Sequence, residues 1–182
     1  MFNSRASMDR LFLTGLFLCL FGSTNILNAQ SSEYILKAGF MERFTRFIEW
    51  PGDSIQTDTT KPFIILVLGK NPFGENLKYV FSKTRIKERR VIIRYASGLD
   101  TNNYYHMIFI SSTSSRELSS ILKFTHNKPI ITISETAGYG SRGVLINFFI
   151  ETNKIRFEIN QEAFRKSGLR VSYLLLNTAK II

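Results

Sequence analysis

Short apolar runs rich in β-branched residues alternate along this chain with stretches of helical spacing, and this alternation constrains the fold most. The four clearest runs are Phe63–Leu68 (FIILVL), Arg90–Tyr95 (RVIIRY), Tyr105–Ile110 (YHMIFI) and Pro129–Ser134 (PIITIS). A short continuous apolar run is typical of a strand that is covered on both faces. Strands of this kind that alternate with helices predict βαβ units and a mostly parallel sheet.

The stretches between the runs contain helix start and stop signals. Apolar residues recur three and four positions apart from Glu33 to Trp50, which predicts an amphipathic helix that Pro51 ends. Asn71 and Pro72 have the residue types of an N-cap and a first helical position, so a second helix is predicted from there to Ser82. A third helix is predicted after the next strand, with Ser114 or Ser115 as its cap.

The order of elements changes in the last forty residues. Val144–Ile150 and Lys154–Ile159 are predicted to form an antiparallel hairpin, followed by a short helix that Asn160 caps and Gly168 ends. A last helix is predicted over Val171–Ile182. Residues 30–182 are therefore expected to form a single-domain, Rossmann-like, three-layer α/β fold. Its mostly parallel sheet is expected to be followed by a C-terminal antiparallel hairpin and helix.

Residues 1–29 have the pattern of a secretory signal peptide. Arg5 and Arg10 precede an apolar run, and small and polar residues follow up to Ala29. We expect cleavage after Ala29 and a periplasmic protein, whether the chain starts at Met1 or at Met8. Lipid attachment at Cys19, the single cysteine, is disfavoured because the bulky Leu18 precedes it.

The chain is strongly basic, with a formal net charge of +10 from 24 Lys and Arg against 14 Asp and Glu. Such a charge commonly indicates nucleic-acid binding, but an exported protein meets anionic lipid surfaces or acidic proteins instead. We therefore expect no nucleic-acid partner. The most basic stretch, Lys83–Arg94, has two interpretations that stay open: a docking surface, or a solvated segment that keeps an edge strand soluble.

The residues that usually carry catalysis are scarce. Gly138–Gly143 (GYGSRG) matches the dinucleotide-binding glycine pattern, but a strand follows it where that pattern requires a helix. His106 and His126 are the two histidines; the first is predicted to lie in a buried strand and the second to end a helix. We expect no metal, no cofactor and no enzymatic activity. The alternative is a secreted enzyme that uses His106 or Glu135.

Loops that leave the carboxyl ends of parallel strands gather at one edge of a sheet, where ligands bind in open α/β folds. The residues that this rule selects as a partner or ligand site are Lys70, Ser112, Glu135 and Arg142. Arg156 and Glu158, on the predicted hairpin, form a second candidate patch. A small anion or an inserted peptide would suit these side chains, but the same residues could simply cap helices and form turns.

Five segments together resemble the YfiR-like family of secreted bacterial proteins. They are KAGFMERFTRFIEWP, VLGKNPFG, YHMIFIS, ITISETAGYGSRGVLINFFIETNKIRFEIN and GLRVSYLLLNTAKII, and their order and spacing carry the resemblance. The resemblance implies a non-enzymatic periplasmic signalling protein that restrains a membrane diguanylate cyclase, or serves a sensor kinase, through that receptor's outer domain. Some members have a cysteine before the histidine of the third strand, where this chain has Tyr105.

Two alternatives remain open at this stage. The chain could be a periplasmic module that binds a small anionic ligand without a dedicated receptor. It could also act as a homodimer, whether it restrains a receptor or binds a small ligand.

Overall fold

The computed structural model describes residues 32–51, 58, 60–112 and 117–182. The predicted signal peptide and the predicted helix caps Ser114 and Ser115 lie outside the described residues. Within the described part of the chain, no helix is both long and apolar enough to cross a membrane.

A seven-stranded sheet forms the centre of the fold, and a two-stranded sheet lies beside it. The strands are β1 Ile48–Glu49, β2 Phe63–Leu68, β3 Val91–Ala96, β4 Met107–Ile110, β5 Ile131–Ser134, β6 Ile146–Glu151, β7 Lys154–Ile159, β8 Arg170–Val171 and β9 Lys180–Ile181. The helices are α1 at residues 32–47, α2 Asn76–Ser82, α3 Leu118–Thr125, α4 Gln161–Ser167 and α5 Tyr173–Leu176. In the large sheet the strand order is β3-β2-β4-β5-β6-β7-β9, and only the β6–β7 pair is antiparallel.

Helices cover both faces of the sheet, so the prediction of a mostly parallel α/β fold is confirmed. Ile65 and Val67 of β2 belong to the core that α1 and α2 cover. Leu66 and Leu68, which alternate with them, belong to a second core under α3. Because successive strand residues point to opposite faces, a continuous apolar run such as FIILVL supplies both cores at once.

The stripe of apolar residues predicted on α1 is the side that packs on the sheet. Ala38, Met41 and Phe44 are fully buried, and the Phe44 ring lies 5.7 Å from the ring of Phe148 and 4.9 Å from that of Phe157. Both of these partners lie on the β6–β7 hairpin. The longest helix is thus held against the last part of the sheet by aromatic contacts.

Local sequence signals place the hairpin and the helix after it correctly. Strand β7 has the predicted bounds. The Asn160 side chain accepts a hydrogen bond from the backbone N–H of Ala163 at 2.8 Å, and Gly168 ends α4 with a left-handed φ of 76°.

The predictions for both ends of the domain are wrong in the same way. The first helix stops at residue 47, three residues early, because Ile48–Glu49 pairs antiparallel with Arg170–Val171. Only Tyr173–Leu176 is helical in the predicted last helix, because Lys180–Ile181 joins the large sheet beside β7. Backbone pairing between distant segments overrides the helical spacing of each.

The predicted start of the second helix is also corrected. Asn71 does not cap α2, which begins at Asn76; its Oδ1 accepts a hydrogen bond from the Phe73 N–H at 3.0 Å. Its Nδ2 donates to the Gly74 carbonyl at 3.1 Å, so Asn71 closes a tight turn ahead of the helix.

Candidate functional site

Three of the six candidate residues share the carboxyl edge of the sheet. Lys70 follows β2, Ser112 follows β4 and Glu135 follows β5, and these three strands are adjacent and parallel. Lys70 and Ser112 are exposed, whereas Glu135 is largely covered. Sequence position therefore predicts that these residues share one edge of the sheet. It does not predict how exposed each side chain is.

Glu135 is covered because it binds the start of α1. Its Oε2 lies 2.5 Å from Lys37 Nζ, and its Oε1 accepts a hydrogen bond from the Tyr34 hydroxyl at 2.9 Å. Lys37, whose side chain is 5% exposed, also lies 2.5 Å from Glu33 Oε1. Burial and the nearby Glu135 charge raise the pKa of Tyr34, so its hydroxyl stays a donor. The cluster fastens α1 to the sheet edge.

Arg142 lies at a different place, beside the C-terminal end of α3. It lines a cavity of about 360 Å³ together with His126, Ser141 and Lys166, and its guanidinium lies 5.5 Å from the centre of the Tyr139 ring. The glycine-rich turn Gly138–Gly143 places Arg142 away from the sheet edge where Glu135 lies. Arg142 and Glu135 are therefore not parts of one site.

The two hairpin candidates differ in environment. Glu158 is mostly buried, with its Oε2 3.8 Å from Lys180 Nζ. It packs against Gly140, where any side chain would come within 2.5 Å of its Oε1. Arg156 is exposed, 3.9 Å from Glu151 Oε2. Of this pair, only Arg156 presents a charge at the surface.

The concave site beside Arg156 is a groove of about 320 Å³ between α1, β7 and α5. Its walls are mostly apolar: Phe40, Phe44, Phe47, Ile155, Phe157, Leu174 and Leu175. Arg43 and Arg156 lie on its rim, both exposed, and Leu174 is 64% exposed beside them. We call this site the aromatic groove.

The groove adjoins an incompletely paired strand. β9 pairs with Glu158 and Ile159 only, so within the described residues the outer edge of Lys154–Phe157 has no neighbouring strand. A free strand edge beside an apolar groove is a recurring peptide-binding arrangement, in which backbone hydrogen bonds give affinity and pockets give specificity.

Arg156 is the one candidate residue from the sequence that lies at the groove. Sequence spacing does not single out the other lining residues, because Phe44 and Phe47 recur at the intervals of a helix face that packs on a sheet. Phe40, one turn before Phe44, contacts the same Phe148 and Phe157 rings but is only half-buried, and the exposed Arg43 lies one turn further along. The three phenylalanines of this helix, at 40, 44 and 47, supply more apolar surface than one sheet contact needs.

His106 is a core residue. It is 2% exposed, its ring stacks on Phe63 with centres 4.6 Å apart, and its Nδ1 accepts a hydrogen bond from the Ile64 N–H at 3.0 Å. Its Nε2 lies 3.0 Å from Nη1 of the buried Arg89. Burial and, secondarily, the Arg89 charge lower the pKa of His106 to about 4. A ring enclosed in this way has no free nitrogen to offer a substrate, so the geometry speaks against the hypothesis of His106 catalysis.

The fold and the groove define a class: a mostly parallel α/β domain that presents a binding surface beside its first helix. The chain belongs to the YfiR/HmsC-like family, whose model matches residues 34–180. Periplasmic regulation of diguanylate cyclase signalling is the function that this family suggests.

The structural neighbours are distant. A Streptococcus pneumonia structure described as an ABC domain in complex with L-Trp has a TM-score of 0.51 and 10% identity, covering 78% of this chain. A conserved domain protein from Vibrio cholerae has a TM-score of 0.48 and 12% identity; it covers 70% of this chain, which spans 57% of it. This chain spans 61% of the first neighbour's length, and that likeness shows the fold alone. None of the curated proteins matches this chain.

Proposed function

We propose that this chain is an exported, non-enzymatic signalling protein whose residues 1–29 are removed and whose residues 30–182 form the working domain. It binds the outer domain of a membrane diguanylate cyclase or sensor kinase and restrains that receptor. Membership of the YfiR/HmsC-like family supports a regulatory role. The observation that carries the choice of surface is the aromatic groove with its arginine rim.

The groove suits an extended segment of a receptor. An apolar side chain of that segment would fill the space between Phe40 and Leu174, while its backbone would pair with the free edge of β7. Arg43 and Arg156 add positive charge on either side, which favours a segment with acidic residues. No catalytic step and no cofactor is required.

Restraint follows from selective binding. A receptor that exchanges between an active and an inactive conformation is shifted toward the conformation that the groove binds more tightly. A shift from one per cent to ninety-nine per cent inactive needs about a 10⁴-fold preference, which is within the range of a specific interface. A third protein or a ligand that occupies the groove would release the receptor.

Site-specific photo-crosslinking in the native cells tests the partner class. A photoreactive residue at Leu174, on the groove, is expected to capture a membrane diguanylate cyclase or sensor kinase, identified by mass spectrometry. The same residue at Ser120, which is exposed on α3 across the sheet, serves as the control. Capture of copies of this chain alone from Leu174, or capture of the receptor from Ser120 alone, would contradict the proposal.

Reversing the charges on the groove rim is expected to weaken the affinity for the receptor. Arg43→Glu combined with Arg156→Glu is expected to weaken receptor binding at least tenfold, because each reversal replaces an attraction with a repulsion. Both side chains are exposed, so the melting temperature is expected to change little. Arg142→Glu combined with Lys166→Glu is the matched control, since both exposed residues line a separate cavity. Equal losses from the control and the rim variant would move the receptor site away from the groove.

The size of the groove also favours a second candidate function, a small-ligand-binding module. A cavity of about 320 Å³ lies in the range of small-molecule sites. In that case an anionic aromatic or amphipathic compound would raise the melting temperature of the wild type but not of the Arg43→Glu, Arg156→Glu variant. Binding at 100 times Kd adds about 2.7 kcal/mol to the free energy of unfolding, which a thermal shift assay detects readily.

A further inference from the structure

Residues 75–95 concentrate positive charge in one segment, which runs from α2 to the edge strand β3. They include seven Lys and Arg residues and two Glu residues, a net charge of +5, which is half of the chain's formal net charge of +10. Arg89 is buried, and the other six cations are exposed. Glu75, one of the two carboxylates, lies 3.1 Å from Lys78. The charge is therefore at the surface and largely uncompensated within this segment.

Two exposed tyrosines lie among these cations. Tyr79 on α2 is 60% exposed, and the Lys83 ammonium lies 5.0 Å from the centre of its ring. Tyr95 on β3 is also exposed, with the Lys78 ammonium 5.8 Å from its ring. We define the basic–aromatic face as Lys78, Tyr79, Lys83, Arg85, Lys87, Arg90 and Tyr95.

A tight turn holds the middle of this face in one shape. Ile86 and Arg89 exchange two backbone hydrogen bonds, at 3.1 and 3.0 Å, around Lys87 and Glu88. Lys87 and Glu88 have left-handed φ angles of 48° and 67°, a backbone that favours glycine or asparagine. The turn keeps this strained form because Ile86 and Arg89 are buried beneath it, with Arg89 against His106. The exposed cations on and around the turn are thus presented on a fixed support.

We propose that the basic–aromatic face docks the protein on an anionic membrane surface. Lys and Arg contact lipid phosphates, and the two tyrosine rings lie at headgroup level, where amphipathic aromatic residues are favoured. An acidic protein partner is the less favoured occupant, because the cations spread over α2 and the segment between α2 and β3 rather than lining a concave site. The arrangement leaves the aromatic groove accessible, since β3 and β7 lie toward opposite ends of the seven-stranded sheet.

Vesicle co-sedimentation tests this docking with the chain purified from the cells that produce it, its amino terminus read by mass spectrometry. Binding is expected to vesicles of phosphatidylglycerol mixed with phosphatidylcholine, to fall with added salt, and to be absent on phosphatidylcholine alone. Each cation near an anionic surface contributes about fivefold in affinity. The combined variant Lys83→Gln, Arg85→Gln, Lys87→Gln and Arg90→Gln is therefore expected to lose binding by about a hundredfold or more.

A control with the same loss of charge separates the face from net charge. Lys123→Gln, Lys128→Gln, Lys154→Gln and Arg170→Gln remove four exposed cations elsewhere, and this variant is expected to retain affinity within a few fold. Tyr79→Ser in the wild-type background is expected to weaken binding by a factor that salt does not change. Equal losses from both charge variants, or equal binding to both kinds of vesicle, would overturn the proposal. So would a wild type that binds neither vesicle but captures an acidic protein through this face.

Discussion

Replacing Lys37 with methionine is expected to lower the free energy of unfolding by about 3 kcal/mol. The ammonium lies 2.5 Å from carboxylate oxygens of both Glu33 and Glu135, and it is almost completely buried. Methionine fills a similar volume but leaves two carboxylates facing each other without a cation. The cost of that unpaired charge exceeds the contribution of an exposed ion pair, which is at most about 1 kcal/mol. Urea denaturation of the two proteins measures the difference.

Two further variants separate this effect from the loss of any lysine. Lys78→Met removes an exposed ammonium that lies 3.1 Å from Glu75, and it is expected to change stability by less than about 1 kcal/mol. Adding Glu135→Gln to Lys37→Met is expected to restore part of the loss, because it removes one of the two unpaired carboxylate charges and the amide oxygen still accepts the Tyr34 hydrogen bond. If Lys37→Met were no more harmful than Lys78→Met, the cluster would not hold α1 to the sheet.

Acidification from pH 7 to pH 4 is expected to remove on the order of 3 kcal/mol of stability through His106 alone. The pKa of His106 falls from the ordinary 6.5 to about 4 in the folded protein, first through burial and then through Arg89. Between these two values the unfolded chain binds a proton that the folded chain does not. Stability is therefore complete above about pH 6.5 and declines as the pH falls toward 4. Chemical denaturation at a series of pH values gives the slope.

The second histidine provides the control for this slope. His106→Asn keeps an acceptor for the Ile64 N–H but does not titrate, so the variant is expected to be less stable at pH 7 and to lose the slope between pH 4 and 6.5. His126→Asn, at an exposed site, is expected to leave the slope as in the wild type. A wild-type slope in His106→Asn would mean that other groups cause the acid sensitivity.

The fold was predictable where the residues within one strand or helix are enough to identify that element. FIILVL is too short and too β-branched for a helix, and Asn160 and Gly168 mark both ends of α4 by their own hydrogen-bonding and backbone chemistry. The segment after Gly168 was not predictable in this way. Its apolar spacing suits a helix, but pairing of Arg170–Val171 with β1 and of Lys180–Ile181 with β7 depends on residues far away in sequence.

The candidate site was predictable only in part, for a related reason. The rule for parallel strands places Lys70, Ser112 and Glu135 at one edge, because it depends only on strand direction. It does not reveal that Lys37 neutralises Glu135, nor that Phe40 and Leu174 form the walls of a groove. Those contacts join α1 to residues a hundred or more positions later, which no local pattern encodes.

The contacts of α1 have a consequence for biosynthesis. The helix is among the first parts of the domain to be made, yet Phe44 packs on Phe148 and Phe157, and the carbonyl of Phe47 accepts a hydrogen bond from the Ser172 N–H. At about 5–20 residues per second, its partners emerge roughly 5–25 s later. A growing chain therefore keeps its aromatic helix face uncovered until synthesis is nearly complete. An unfinished chain of this design therefore cannot close its core before its last strands are made.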